Sequence, residues 1–288
     1  MQIATTVREA KAICRAWRRE GKTIGLVPTM GALYEGHGSL IERARKENDK
    51  VFVSVFVNPT QFGPNEDFDK YPRHFEADKA FCEGLGADLV FHPAPEEMYH
   101  DQHCYVNMDL LTETLDGVAR PIHFRGVCTV VSKLFNISGA DRAYFGEKDA
   151  QQLAIVRKMA ADLDFDVQVV GCPTVREADG LAKSSRNVYL SPEERAAATA
   201  IYRSIQEGRK MMSEGLPASE LEQAMAATID AEPLMETEYV SVVDALTMQP
   251  VETVDRPVLV AIAAHDGKTR LIDNFSWDPA EAGQAAEA

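Results

Sequence analysis

The stretch Val51-Phe52-Val53-Ser54-Val55-Phe56-Val57 constrains this chain more than any other part of it. A run so nearly continuous in β-branched and aromatic residues, with no polar alternation, describes a strand covered on both faces, and helices must supply the cover. Asn58-Pro59 then stops it abruptly. Residues 23–28 form a second such strand, which enters Pro28-Thr29-Met30-Gly31, and residues 36–48 read as a helix with Leu40, Ile41 and Ala44 on one side. Further strands are expected at 88–91, closing on His92-Pro93, at 143–145, closing on Gly146, and at 165–170, closing on Gly171. Short apolar strands alternating with helical patterns imply an α/β fold built on a doubly wound parallel sheet.

After Cys172-Pro173 the texture changes. Ser191-Pro192-Glu193-Glu194 opens a helix: the serine hydroxyl caps free amides, proline suits the first helical position and Glu194 completes a capping box. Ala197, Ile201, Ile205 and Met212 are its expected buried stripe and Gly215 its end. A second helix over 219–229 precedes strand-like runs at 239–243, 258–264 and 269–273. Helices followed by antiparallel strands imply a smaller α+β C-terminal domain, so the division expected is residues 1–174 and 175–288. A length of 288 residues suits two modest domains, and the Ala/Glu-rich tail at 279–288 reads as frayed.

The charge balance excludes one broad class. With 45 acidic against 30 basic residues the net charge is −15, which disfavours a broad basic surface for nucleic acid. The acidity is unevenly placed: residues 1–213 carry 27 basic and 30 acidic groups, residues 214–288 carry 3 and 15. Residues 120–152 hold five basic and three acidic side chains, a locally positive stretch suited to phosphate. Cys14, Cys82, Cys104, Cys128 and Cys172 are odd in number, widely spaced and never C-x-x-C, which argues for a reducing compartment rather than a disulfide framework. With no leader-like N-terminus and no window near the ~20 apolar residues of a membrane span, a cytoplasmic location is expected.

Ligands of open parallel sheets sit beyond the carboxyl ends of the strands, so the loops there carry the chemistry. Three are unusual: residues 28–37, residues 58–64, and Gly146-Glu147-Lys148-Asp149. Gly31, Gly36 and Gly38 let backbone approach a nucleotide, and a following helix N-terminus offers amides to phosphate, with His37 beside it. The alternative is an ordinary glycine-rich turn with a histidine near a helix start. No G-x-x-x-x-G-K-[ST] is present, because Ile262 stands where the first glycine should precede Gly267-Lys268-Thr269, and no G-x-G-x-x-G follows a strand. A P-loop NTPase and a conventional NAD dehydrogenase are both disfavoured.

These loops come in a recognisable order: Pro28-Thr29-Met30-Gly31-Ala32-Leu33, Val57-Asn58-Pro59-Thr60-Gln61-Phe62-Gly63-Pro64-Asn65-Glu66-Asp67-Phe68, Tyr71-Pro72-Arg73, Phe124-Arg125-Gly126-Val127, Phe145-Gly146-Glu147-Lys148-Asp149, and Asp179-Gly180-Leu181 through Ser184-Ser185-Arg186-Asn187. Over about residues 3–273 the chain resembles the pantothenate synthetase (pantoate–β-alanine ligase) family, nucleotidyltransferases related to class I aminoacyl-tRNA synthetases. The resemblance implies a Rossmann-like N-terminal domain, a smaller C-terminal domain that closes over ATP, and a homodimer. It implies a reaction in which pantoate is adenylated by ATP, with Mg²⁺ as the nucleotide's partner, and β-alanine then displaces AMP.

By the same resemblance Met30, Gly31, Ala32, Leu33, Tyr34, Glu35, Gly36 and His37 form the ATP-binding loop, and His37 is the catalytic proton donor and phosphate contact. Gln61 and Gln152 bind pantoate, Gln61 also lying beside β-alanine. Gly146, Glu147, Lys148 and Asp149 hold the nucleotide, with Lys148 on phosphate, although Asp149 reads equally as a helix cap. Val175 contacts adenine, and Lys183, Ser184, Ser185 and Arg186 form the loop that reaches the triphosphate. Two residues depart from the family's pattern. Tyr34 replaces the first histidine of H-x-G-H and cannot become cationic near neutral pH. Lys183 stands where methionine or leucine is more usual, and a cation there is the expected substitute for the missing charge.

Other features read as structural. His92, His100, His103 and Cys104 imitate a metal site but belong to surface-like sequence, and Cys128 reads as a small core residue rather than a nucleophile. Phe62, Phe68 and Tyr71 are expected to shape the substrate pocket. Two other functions stay open: an adenylate-forming relative acting on another small acid, and a nucleotide-binding paralogue weakened by Tyr34.

Overall fold

The computed structural model describes residues 1–64, 66 and 68–280. Asn65 and Asp67 of the long loop motif, and residues 281–288 of the tail expected to fray, lie outside the described residues. The chain divides into two compact units. The first takes Met1–Asp109, Ala119–Glu147 and Gln152–Pro173; the second takes Leu110–Val118, Lys148–Gln151 and everything from Thr174 onward.

The first unit contains β1 (Gln2–Ala4), α1 (Val7–Arg19), β2 (Ile24–Thr29), α2 (Glu35–Glu47), β3 (Lys50–Val55), a 3₁₀ turn (Pro59–Gln61), α3 (Phe75–Gly84), β4 (Leu89–Phe91) and α4 (Pro95–Met98). After α5 (Asp116–Ala119), which spans the boundary, come α6 (His123–Ser138), β5 (Arg142–Gly146), α7 (Ala150–Asp162) and β6 (Gln168–Cys172). Its six strands run in the order β1-β4-β3-β2-β5-β6, every neighbouring pair parallel. The order reverses between β2 and β5, which is the switch point of a doubly wound sheet. Val51, Phe52 and Val53 have no exposed surface, as a strand sandwiched between helices requires.

The first residues hold two elements beyond those expected above. Gln2–Ala4 pairs with Leu89–Phe91 as β1, and Thr6 opens α1 with a complete capping box to Glu9. The stripe Ala10, Cys14 and Trp17 buries α1. The strand expected at 165–170 is displaced. Phe165 closes the end of α7, its amide donating to the Ala160 carbonyl and its ring packing edge-on to Phe135, so pairing with β5 starts only at Gln168 and runs through Gly171 to Cys172.

The second unit contains α8 (Pro192–Ala197), α9 (Thr199–Met211), α10 (Ala218–Asp230), β7 (Met235–Asp244), β8 (Val258–Asp266) and β9 (Thr269–Trp277), the strands forming one antiparallel sheet in the order β7-β8-β9. Ser191 and Glu194 form the expected capping box, but the single helix expected from it is two, α8 and α9, which meet at Ala198. Ile201, Ile205, Leu221, Met225, Val260, Ile262 and Phe275 fill its core, while Met212 is only partly buried at the rim.

The residues Leu110–Val118 join this unit because Gln151 holds them: its Nε2 donates to the carbonyls of Leu111 and Thr114 at 2.8 and 2.9 Å, and its Oε1 accepts from the Asp116 amide at 3.0 Å. Arg270 and the Tyr239 hydroxyl then bind the Asp116 carboxylate at 2.6 and 3.0 Å. No single cut near residue 174 reproduces this division, because a glutamine and an aspartate recruit a distant loop.

Candidate active site

The crevice of the first unit opens where β2 and β5 part. They pair only at Gly25–Arg142 and Leu26–Ala143, although β2 continues to Thr29 and β5 to Gly146. Pro28, which has no amide to offer a ladder, lies in the part of β2 that β5 no longer meets. The three unusual loops therefore start side by side: Met30–Tyr34 after β2, Asn58–Gln61 after β3, and Glu147 after β5. The side-chain amide of Gln61 stands 3.2 Å from the Met30 sulfur, bringing the first two into contact.

Gly31 and Ala32 both adopt positive φ, 86° and 50°. An alanine in the left-handed region is strained and needs a compensating hold. Asp78 on α3 supplies it. Its carboxylate, 3% exposed, accepts the amides of Ala32 at 3.0 Å and Leu33 at 2.8 Å. Those two amides consequently serve the fold and face a carboxylate. Asp78 was not among the residues anticipated from sequence. Its signal was present all the same, since it shares the buried face of α3 with Cys82, one turn away, and a carboxylate on an apolar stripe usually has a task.

Tyr34 takes the cap position of α2 without a side-chain capping bond. Its ring lies across Gly36, where a β-carbon would come within 2.4 Å of it, and meets the His37 imidazole edge-on at 4.6 Å. Gly36 thus makes room for an aromatic ring that buttresses His37 in the first turn of the helix. The amide of Gly31 donates to the Thr29 hydroxyl at 3.2 Å, and that hydroxyl donates to the Ser54 carbonyl at 2.7 Å.

Asn58 and Gln61 are 1% and 6% exposed. α6 presses on their 3₁₀ turn at Gly126, where a β-carbon would fall 2.5 Å from the Thr60 carbonyl and 2.6 Å from the Gln61 backbone. That explains the glycine of Phe124-Arg125-Gly126-Val127. His123, from the same helix, holds the Gln61 carbonyl through Nδ1 at 3.1 Å. Next to the turn, the Phe62 ring packs edge-on against Phe68 and Tyr71 at 5.4 and 5.9 Å. Burial raises the Glu66 carboxyl, but the hydrogen bond and charge of Arg120 outweigh it and hold the group below its usual range.

Of the remaining candidates, Gly146, Glu147 and Gln152 lie in the first unit, Gln152 on α7 and partly buried, whereas Lys148, Asp149, Val175 and residues 183–186 belong to the second. Lys148 is 3.4 Å from Asp149, and its carbonyl accepts from Asn274 at 2.9 Å. Helix α7 begins at Ala150, directly after Asp149. The Val175 carbonyl accepts the Lys183 amide at 2.9 Å, so those two residues are cross-strand neighbours on a short hairpin closed by Gly180. Gly180 has φ 92° and lies under the Tyr202 ring. Ser184 caps the 3₁₀ turn Ser185–Tyr189, its hydroxyl accepting the Arg186 amide at 3.3 Å. The Lys183 ammonium is 3.6 Å from Glu177, so the cation anticipated as a substitute for a second histidine is already matched by a carboxylate.

The metal-like histidines separate. His92 bonds the Val55 carbonyl through Nδ1 at 2.7 Å and stacks on Phe75, His103 is exposed beside Asp101, and no group of three or more potential ligands gathers among the described residues. Burial pushes the Cys128 thiol up to about 12, which suits a core residue. All five cysteines are free, and no helix among the described residues is long and apolar enough to cross a membrane.

The model of the pantoate-beta-alanine ligase family matches residues 2–276. Pantothenate synthetase of Ruminiclostridium cellulolyticum is 56% identical over 97% of this chain and 100% of its own length, and that of Clostridium novyi 58% over 93% and 96%. The crystal structure of pantothenate synthetase from Thermus thermophilus superposes with a TM-score of 0.89 at 46% identity, covering 96% of this chain and 99% of that one. Pantoate-beta-alanine ligase from Francisella tularensis, solved with β,γ-ATP and β-alanine, gives 0.78 at 33% identity, over 96% and 97%. With a nearly full-length match in sequence and in fold, this chain belongs to the pantoate–β-alanine ligase family, a family of ligase enzymes.

Proposed function

We propose that this chain condenses pantoate with β-alanine at the expense of ATP. The pantoate carboxylate attacks the α-phosphorus and pyrophosphate leaves; the β-alanine amine then attacks the acyl carbon of pantoyl adenylate, and AMP leaves with the carboxylate oxygen. Adenylation is needed because a free carboxylate would have to expel oxide. The observation that carries this reading is the buried Gln61 amide beside the β2 loop at the switch-point crevice, within a chain related to these ligases along nearly its whole length.

In this reading His37 donates to a phosphate oxygen, Lys148 and Arg186 neutralise developing charge, and Ser184 and Ser185 are hydrogen-bond donors rather than nucleophiles. Gln61 and Gln152 hold pantoate with neutral amides that cannot compete as nucleophiles. Val175 meets adenine. Mg²⁺ enters as part of the nucleotide substrate, held mainly by phosphate oxygens. A cytoplasmic location and a homodimer complete the proposal.

The test is a coupled assay for AMP in which pantoate, β-alanine and ATP are omitted in turn. AMP release that needs all three, with pantoate-dependent exchange of labelled pyrophosphate into ATP, is the expected result. ATP binding without AMP release would instead favour a nucleotide-binding paralogue. Sedimentation equilibrium tests the dimer.

A further inference from the structure

Backbone groups are unambiguous: an amide N–H only donates and a carbonyl only accepts. Two of them fix the Asn58 side chain. The Thr60 amide donates to Asn58 Oδ1 at 3.3 Å, and Asn58 Nδ2 donates to the Gly126 carbonyl at 3.2 Å. With the Asn58 amide oriented, everything it touches is oriented too. Its second Nδ2 hydrogen points at the Gln61 side chain 2.9 Å away, where only an oxygen can sit, so Gln61 Oε1 faces inward. Gln61 Nε2 is thereby turned away from Asn58, toward the Met30 sulfur of the β2 loop at 3.2 Å. On the other side, the Tyr99 hydroxyl lies 2.5 Å from Asn58 Oδ1 and must be a donor there.

We propose that Tyr99 is a positioning residue for the ligation, acting through Asn58 to hold Gln61 as a donor-only amide. A directed chain runs from the Tyr99 hydroxyl to Asn58 Oδ1, from Asn58 Nδ2 to Gln61 Oε1, and from Gln61 Nε2 toward the β2 loop. Gln61 then offers N–H alone, and the substrate atom it selects is an acceptor: a carboxylate oxygen or a hydroxyl lone pair. An ammonium group, which has no lone pair, finds no partner there. The Tyr99 ring is placed by Phe56 at 6.0 Å and by the Lys133 ammonium over its face at 5.5 Å. Burial pushes the Tyr99 phenol up to about 12, so it retains its proton throughout the working pH range. Thr60 also bonds Asn58 Oδ1 through its hydroxyl at 2.9 Å, so removing the Tyr99 donor loosens the chain without dismantling the turn.

The inference rests on the reading of Gln61 as a pantoate ligand, and the experiment separates the two. Tyr99→Phe, Gln61→Ala and the double variant of the full-length enzyme are compared in KM for pantoate, KM for ATP and melting temperature. Tyr99→Phe is expected to raise KM for pantoate, or lower kcat/KM for it, roughly fivefold while KM for ATP stays within about twofold, the size of one lost neutral hydrogen bond. The same substitution on the Gln61→Ala background is expected to change nothing further, because its route to substrate is gone. A Tyr99→Phe enzyme with unchanged pantoate kinetics, or one whose effect persists undiminished without Gln61, overturns the proposal. If Gln61→Ala itself leaves pantoate use intact, the reading of Gln61 fails first, and with it the inference.

Discussion

The loops after β2 and β3 and the segment from Val175 to Tyr189 hold glycines and polar residues of similar kind, yet they are secured by opposite means. In the first, buried side chains hold backbone: Asp78 takes two amides at 3% exposure, and Asn58 joins Gly126 to Gln61 at 1%. In the second, beside the bidentate Arg176–Asp273 pair at its base, the Ser184 cap and the Asn187 bond to the Ala182 carbonyl, the ion pairs lie near water. Lys183–Glu177 has side chains 19% and 38% exposed, Arg195–Asp179 32% and 45%, and Val188 stands 75% exposed. Removing one partner of a buried polar contact leaves the other unsatisfied, whereas an exposed pair contributes little and salt screens it. The first region is therefore built to keep one geometry, and the second can change its contacts at small cost.

Asp78→Ala tests the strongest form of that contrast. It strands two amides under a strained turn, and the expected loss is about 3 kcal/mol of unfolding free energy with roughly a hundredfold fall in kcat/KM for ATP. Chemical denaturation and steady-state kinetics measure both; a loss no larger than that of Lys183→Met breaks the comparison. Gly126→Ala comes next. Its β-carbon meets backbone of the 3₁₀ turn, so overpacking should cost about 2 kcal/mol and weaken pantoate use more than ATP use.

Asp266 is the exception inside the second unit, and it gives a prediction in pH. It has no exposed surface, and neither carboxylate oxygen has a hydrogen-bond partner among the described residues. Burial, with Glu194 and Glu232 nearby, raises its pKa to about 6. A folded value above the unfolded one means that the folded state binds the proton more tightly, so this group favours folding as pH falls from about 7 toward 4 and opposes it above 6. Asp266→Asn should raise stability at pH 7.5 by on the order of 1 kcal/mol, read as a higher melting temperature, and the gain should shrink as pH falls through 6 toward 4.5. An equal gain at both pH values would mean that the charge is not the cause.

The smallest effect is expected from Lys183→Met, within about 0.5 kcal/mol of wild-type stability. Because Glu177 already balances this cation, Lys183→Met and Tyr34→His should act independently on ATP turnover. Strong coupling between them would show that Lys183 does compensate for the absent histidine.

Much of this architecture was legible because it rests on local pattern. The apolar run at Val51, Pro93 and Gly146 at the ends of β4 and β5, and the Ser191–Glu194 cap all report on neighbours within a few residues. The capping box at Thr6 and Glu9, with Ala10, Cys14 and Trp17 behind it, was equally legible and shows that α1 could have been read. Asp78 was harder, since it holds amides 45 and 46 residues away and nothing in its own neighbourhood names them.

The sequence by itself determined the alternation of strands and helices, the loops that carry the chemistry, and through six ordered motifs the family. Periodicity and turn chemistry are local, and a motif is a string. Only the tertiary structure decided which strands part to open the crevice, that a loop at residues 110–118 belongs with the second unit, and that Gln61 turns its oxygen to Asn58 and its nitrogen to Met30. Each of those depends on groups far apart in the chain meeting at hydrogen-bond distance, and direction in a hydrogen bond exists only once both partners are in place.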